Sequence, residues 1–340
     1  MKICFFIFYF FLIDLFAINF PQDHFFHSEY QVEWIYFVGQ VESSNGKKFG
    51  YELSFFKGNL DKQFEIFPVH FAISDLDTKK HSTAQSVYRK IGNLVRISKN
   101  EIECGDFKIQ FVNNSEILIK ANPRDKNFSI DLNLKYEKKD FLFHGKKGYS
   151  IKSRRNPEMF SYYYSIPNLK TKGTLTIDGR EEKIISGNSW MDHEWSCHDK
   201  EKKSIGTLSS AETSWDWVCL NFEDGSNLMA FNFKLNSTSE PESFGTYRDK
   251  NGKQYFFEKQ NEISFQSKDQ IWKSKESGKK YKLNWKIKFL DIEIDLEPIF
   301  PEQEFIALET TGNIYWEGAI IATLKSKTGN LRGQGYLELK

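Results

Sequence analysis

The stretch that decides the fold reads Phe128-Ser129-Ile130-Asp131-Leu132-Asn133-Leu134-Lys135-Tyr136. Apolar and polar residues alternate strictly, the period-two pattern of a strand with one buried face and one wet face. The pattern recurs upstream at Phe107, Ile109 and Phe111, ahead of a turn at Asn113-Asn114, and downstream at Leu283, Trp285, Ile287 and Phe289. After Phe289 the apolar parity moves to Ile292, Ile294 and Leu296, which predicts a β-bulge near Leu290-Asp291. Turn-forming pairs separate such runs: Asn45-Gly46, Asp178-Gly179, Asp224-Gly225, Asn251-Gly252 and Thr328-Gly329. Helical periodicity is scarce. Many short strands with tight turns mean an all-β chain of antiparallel sheets closed into barrels or sandwiches.

Composition narrows the class further. Among 340 residues, 47 Lys+Arg face 46 Asp+Glu, a formal net charge of +1. Without a basic surplus there is no bulk electrostatic hold on nucleic acid. With 27% charged and 39% hydrophobic residues the chain is of ordinary globular type; its unusual feature is an aromatic content of 16%. Lys2 and the apolar run Ile3 to Phe16, broken only by Asp14, have the form of a secretory signal and are short for a membrane span. Residues 1–19 are therefore expected to be a signal peptide, and the mature chain to be secreted or periplasmic with no stable membrane span. Cys4 leaves with the signal; Cys104, Cys197 and Cys219 allow at most one intramolecular disulfide. The polar, charged segment from Ser196 to Ser204 divides the remainder into strand-rich halves, 20–200 and 201–340.

Ionisable residues set against aromatic rings form three constellations. The densest is Ser189-Trp190-Met191-Asp192-His193-Glu194-Trp195. Burial beside aromatic surface raises a carboxylic acid's pKa and keeps it protonated, as a general acid requires. The plainer alternative is a polar network that closes a barrel. A zinc motif does not fit: His193-Glu194 opens like H-E-x-x-H, but Cys197 holds the second ligand position and His198 comes one residue late. In the second constellation, Ser214-Trp215-Asp216-Trp217-Val218-Cys219-Leu220-Asn221-Phe222, a strand places Asp216 on the face of Val218, Leu220 and Phe222. There it is an acid–base residue, the partner of a buried His or Arg, or a solvated residue at the strand's start. The third joins Asp23, His24 and His27 to Glu33-Trp34-Ile35-Tyr36; the i,i+3 histidines have a weak chelating spacing. Tyr162-Tyr163-Tyr164 adds phenols that alternate across a strand. A Gly-rich phosphate loop and a G-x-S-x-G elbow are both missing. No metal and no cofactor are expected.

Several of these residues fall into a longer ordered series. It runs from Phe20-Pro21-Gln22-Asp23-His24 through Glu33-Trp34-Ile35-Tyr36-Phe37-Val38-Gly39, Gly50-Tyr51-Glu52-Leu53 and His70-Phe71-Ala72-Ile73-Ser74-Asp75. It continues through Tyr162-Tyr163-Tyr164-Ser165 and Trp190 to Trp195, then Trp215-Asp216-Trp217 and Tyr315-Trp316-Glu317-Gly318. In order and spacing the series resembles the CrtC/AttH-like family, that of hydroxyneurosporene synthase (carotenoid 1,2-hydratase) and of lipocalin-like proteins described as secreted hydrolases. Ile35 departs from the second Trp of that family's E-W-W-Y signature. The resemblance implies two consecutive lipocalin-like, calycin-like antiparallel β-barrels, the first ending near the Asp-His-Glu cluster. It also implies a chemistry in which a carboxylic acid protonates an alkene and water captures the tertiary cation.

The expectation is an exported, cofactor-independent enzyme that hydrates a hydrophobic isoprenoid or polyene-like small molecule. Asp192 or Asp216 would supply the proton, and His193 or Glu194 would orient water. Glu33, Trp34, Tyr36, His70, Tyr163, Trp190, Trp195 and Trp217 would line the site. The competing expectation is a non-catalytic lipocalin-like carrier holding a lipophilic ligand in a barrel mouth. A third possibility makes the acidic cluster a lock between two barrels.

Overall fold

The structure, a computed structural model, describes residues 18–60, 64–196, 213–235, 240–268, 270–327 and 329–340. The expected signal segment up to residue 17, Cys197, His198 and the expected boundary at 200/201 lie outside them. Among the described residues the helical elements are two 3-10 turns, Gln22–His24 and Lys138–Asp140. All other regular structure is antiparallel strand, as the alternation predicts.

The N-terminal half forms one sheet that curls into a nearly closed barrel. Val32–Ser43, Lys48–Leu60, Phe64–Asp75 and Lys80–Arg89 follow one another as hairpins on one side. Arg180–Ser196, Phe160–Ile177, Ser129–Lys135, Glu116–Ala121 and Phe107–Asn113 lie in that order on the other. The two series meet where Val32–Ser43 pairs with Arg180–Ser196, in unbroken register from Val32↔Ser196 to Glu42↔Ser186. The second sheet repeats this plan. Ser214–Phe222, Asn227–Lys234 and Glu242–Arg248 extend from one side of Gly329–Leu339, and Asn313–Ser326, Ile292–Pro298 and Trp285–Phe289 from the other.

Asp178 and Gly179, with φ of 51° and 72°, form a two-residue hairpin turn of the kind the dipeptide announces. The expected bulge near Leu290-Asp291 is corrected. Trp285–Phe289 and Ile292–Pro298 are neighbours joined by a tight turn there, with Phe289 opposite Ile292. The apolar parity changes because the chain reverses.

Strand alternation sorts each sheet into two faces. In the first sheet Phe37, Leu53, Phe55, Phe71, Leu132 and Met191 point inward with no solvent exposure and fill the interior. Val218, Leu220, Ile287, Ile294, Trp316 and Leu337 do the same in the second. Each such side chain contributes on the order of 1.5–3 kcal/mol by leaving water. A carrier that holds its ligand inside a barrel would have to displace this packing. Ile35 belongs to the filled interior, so its departure from the family signature falls in core packing. The opposite faces of the two sheets pack on each other. Tyr36, Val38, Tyr163 and Trp190 from the first sheet meet Trp217, Met229, Phe231, Phe244 and Tyr336 from the second. The contact is close enough that a Cβ on Gly50 would lie 2.5 Å from the Tyr336 hydroxyl.

Candidate functional site

Two rows of side chains define the chemistry between the sheets. Cross-strand register aligns Ser165, Asp192, Tyr36, Ser54 and His70 on the outer face of the first sheet. Phe244, Phe231, Trp217, Glu338 and Glu317 align on the facing side of the second. Hydrogen bonds join the rows: Trp217 Nε1 donates to the Tyr163 hydroxyl at 3.0 Å, and the Tyr36 hydroxyl donates to Glu317 Oε1. His70 Nδ1 lies 2.7 Å from the Tyr315 hydroxyl, which donates to Glu52 Oε1 at 3.2 Å.

Asp192 is the centre of the first row. It is 2% exposed and accepts hydrogen bonds from Tyr163, from Ser165 and, at 2.5 Å, from Trp190 Nε1. Burial pushes its carboxyl up, the three donors and the nearby Glu194 charge act less strongly, and the pKa comes to about 7. Asp192 therefore holds a proton through much of the range where free carboxylic acids have lost theirs. Behind it, His144 Nε2 lies 2.6 Å from Ser165 Oγ, and His144 Nδ1 lies 3.0 Å from Thr246 Oγ1 of the second sheet. Burial and the charge of Lys152 hold His144 well below its ordinary pKa, so the ring is neutral. Glu194 shares the outer face but is paired with Lys152, 2.7 Å away, whose ammonium lies over the rings of Tyr163 and Phe231. Trp34 and Trp215 are partly buried at the edge of this packing. A cavity of about 10 Å³, the room of one water molecule, lies nearby between Gln40, Asn188, Trp190, Cys219, Asn221 and Tyr336.

His193 does not join Asp192. Strand alternation turns it to the opposite face, into the end of the first barrel, with Trp195 and Glu33. There Glu33 Oε1 accepts from His193 Nε2 at 2.7 Å and from His27 Nδ1 at 2.6 Å, while His27 Nε2 lies 3.3 Å from Asp23 Oδ1. Burial pulls His27 down, but its bonds to Asp23 and Glu33 prevail and lift it to about 9. Burial pushes Glu33 up, and the bonds from His193 and His27 outweigh it and hold it ionised. Among the described residues His27, Glu33 and His193 are the group whose donor atoms, all within 4.8 Å, are placed to hold a metal. Their geometry fits a shared hydrogen-bond acceptor better, because one carboxylate oxygen occupies the point both rings face. His24 is not part of the group: it bonds to the Tyr164 hydroxyl at 2.8 Å and stacks on Phe111.

Asp216 lies on the Val218 face, as its position in the strand predicts, and so points away from Asp192. Its carboxyl is raised to about 6 by burial, against a 3.4 Å bond from Asn232 Nδ2. The structure thus brings Asp192, Tyr163, Trp190, Trp217, Tyr36, Glu194 and His70 to the contact between the sheets. It gathers Glu33, His193 and Trp195 inside the first barrel and leaves Asp216 in the second. Sequence reasoning missed Ser165, His144, Glu52, Glu317 and Glu338. Glu52 and Glu317 lie within quoted motifs, and alternation alone assigns them to the outer faces.

A family model described as AttH-like matches residues 15–340, and the chain belongs to the AttH-like family. The crystal structure of an AttH protein from Nitrosomonas europaea is similar with a TM-score of 0.83 at 26% identity, covering 96% of this chain and 98% of that one. Kievitone hydratase from Nectria haematococca is similar with a TM-score of 0.73 at 16% identity, covering 95% and 92%, a likeness of fold. Comparison with curated proteins gave no match.

Proposed function

We propose that the chain is an exported, cofactor-independent enzyme of hydratase type that acts on a hydrophobic isoprenoid or polyene-like molecule. The observation that carries this is Asp192, a buried carboxyl poised to exchange a proton near neutrality and enclosed by Trp190, Tyr163 and Trp217. Hydration of an alkene needs one proton delivered to carbon, a cation held, and one proton taken from the attacking water. Faces of Trp and Tyr stabilise a desolvated cation by about 1–2 kcal/mol each, and a positioned acid or base contributes about 10²–10⁴-fold. The hydratase named among the similar folds supports the reaction type, and the apolar run Ile3 to Phe16 supports export.

The test begins with native mass spectrometry of the mature protein purified from its own host, followed by denaturing release of any bound lipophile. The released species is then incubated with the protein in heavy-oxygen water. A product heavier by one labelled water, formed by wild type and lost in Asp192→Asn, supports hydration. A ligand that binds and never changes mass, with Asp192→Asn altering affinity alone, overturns it in favour of a carrier.

A further inference from the structure

Three hydrogen-bond donors point at Asp192, so a proton arriving on this carboxyl must turn one of those bonds around. We infer that the proton sits on Oδ1, facing Ser165, and that its arrival moves the N–H of His144 from Nε2 to Nδ1. His144 is then a positioning residue that acts on Asp192 through Ser165. The use of this coupling in catalysis rests on the hydratase reading; the coupling itself does not.

Counting hydrogens fixes the assignment. A hydroxyl has one hydrogen to give, an indole N–H can only donate, and a neutral imidazole has one donor and one acceptor nitrogen. With Asp192 ionised, Trp190 Nε1 and Ser165 Oγ donate to Oδ1, and the Tyr163 hydroxyl donates to Oδ2. Ser165 has spent its hydrogen and therefore accepts from His144 Nε2, 2.6 Å away. His144 Nδ1 is left as the acceptor and takes the hydrogen of Thr246 Oγ1 at 3.0 Å. A proton added at Oδ2 would face the Tyr163 hydroxyl. That hydroxyl already accepts from Trp217 Nε1 at 3.0 Å and would lose the acceptor for its own hydrogen. Trp190 has no lone pair to offer in exchange. Ser165 can reverse, because its hydrogen has a second place to go. With the proton on Oδ1, Asp192 donates to Ser165, Ser165 donates to His144 Nε2, and His144 Nδ1–H donates to Thr246. One proton is taken from solvent, and Ser165, His144 and Thr246 each keep the number they had.

The ring is held in place for this exchange. His144 follows the short strand Leu142–Phe143, and its backbone N–H donates to the Tyr163 carbonyl at 3.1 Å. Its ring lies 4.1 Å from the Tyr163 ring. It is 1% exposed, and both its nitrogens face hydroxyls, so an imidazolium would have no anion at either one. The charged and titratable groups around the line are Lys152 and Glu194, paired with each other, Tyr163, and from the second sheet Cys219 and Glu317. Burial pushes Tyr163, Cys219 and Glu317 toward their neutral forms. Asp192 is thus the member of the line that changes charge, and His144 answers by changing tautomer. Thr246 belongs to the second sheet, so the bond that registers the ionisation of Asp192 crosses from one sheet to the other.

The test needs no substrate. The mature protein is labelled with heavy nitrogen in its histidines and heavy carbon in its aspartate carboxyls. NMR spectra of both labels are then recorded from about pH 5 to about pH 9. Signals are assigned by their loss in His144→Gln and in Asp192→Asn. As pH falls, the wild-type His144 Nε2 signal is expected to change from pyrrole-like to pyridine-like and Nδ1 the reverse, with the midpoint of the Asp192 carboxyl. In Ser165→Ala both nitrogen signals are expected to lose that pH dependence while the Asp192 carboxyl still titrates. Should that variant not fold, the wild-type spectra alone carry the test. A His144 of purely structural role would keep one tautomer at every pH. That result, an imidazolium formed in step with Asp192, or a switch that persists in Ser165→Ala overturns the inference and leaves the hydratase reading standing. An Asp192 carboxyl that holds one state across the range overturns both.

Discussion

Asp192 and His193 are adjacent in sequence yet belong to two centres with opposite electrostatics. Between the sheets, Asp192 is met by a phenol, an alcohol and an indole, none of them charged, and burial leaves it protonated near neutrality. Inside the first barrel, Glu33 is met by two imidazoles and is held ionised, with His27 as its cation. Both carboxyls are almost completely buried. The kind of partner, rather than the depth of burial, decides which keeps its proton. A neutral acid is useful for transferring a proton; an ionised one bridging two histidines is useful for holding an N-terminal segment against a barrel end.

The largest expected effect breaks the first centre. Asp192→Asn should lower turnover by about 10²–10⁴-fold while costing less than about 1 kcal/mol of stability, since an amide fills the same space. Asp216→Asn should change turnover by less than tenfold, because its carboxyl points into the other barrel; equal losses from both variants would erase the distinction. Next comes the second centre. Glu33→Gln removes the charge that compensates His27 and should cost about 3–5 kcal/mol in a urea titration, with no comparable loss from Asp192→Asn.

The pH dependence of stability sharpens the contrast. Folding raises the Asp192 pKa, so its contribution is whole below the ordinary carboxyl value and is lost as pH rises through about 7. Folding raises the His27 pKa as well, so its contribution is whole below the ordinary imidazole value and is lost as pH rises through about 9. Urea midpoints measured across pH should therefore lose the lower window in Asp192→Asn and the upper window in His27→Gln. The smallest effect is that of Trp217→Phe, which deletes one neutral hydrogen bond to Tyr163 and part of a ring packed against Tyr36, and should cost about 2 kcal/mol, read by the same titration.

Much of the fold was legible because it depends on local alternation. The strand around Ile130 and Leu132, the Asp178-Gly179 turn and the Asp216 parity all follow from period two and turn chemistry. The same rule separates Asp192 from His193, although their shared aromatic setting reads as one cluster in sequence. The Leu290 turn misled because a bulge and a reversal both shift apolar parity. What lay beyond the sequence is partnership at long range. Tyr36 and Glu317 are 281 residues apart, and what buries Glu52 and Glu317 is the opposite sheet, which no local pattern announces. His144 was missed for the same reason, its partners being Ser165 and Thr246.

Each sheet is sealed by pairing an early strand with its last: Val32–Ser43 with Arg180–Ser196, and Ser214–Phe222 with Gly329–Leu339. This sets an order of assembly. Hairpins form as the chain lengthens, but these closures span long loops and are the slow, late events. The strand that completes the first sheet brings Asp192, and the one that completes the second brings Glu338. A chain interrupted before its final strand can thus have most of its hairpins and still lack the burial that keeps protons on its acids. The protonation of the buried acids and the completion of the sheets arrive together.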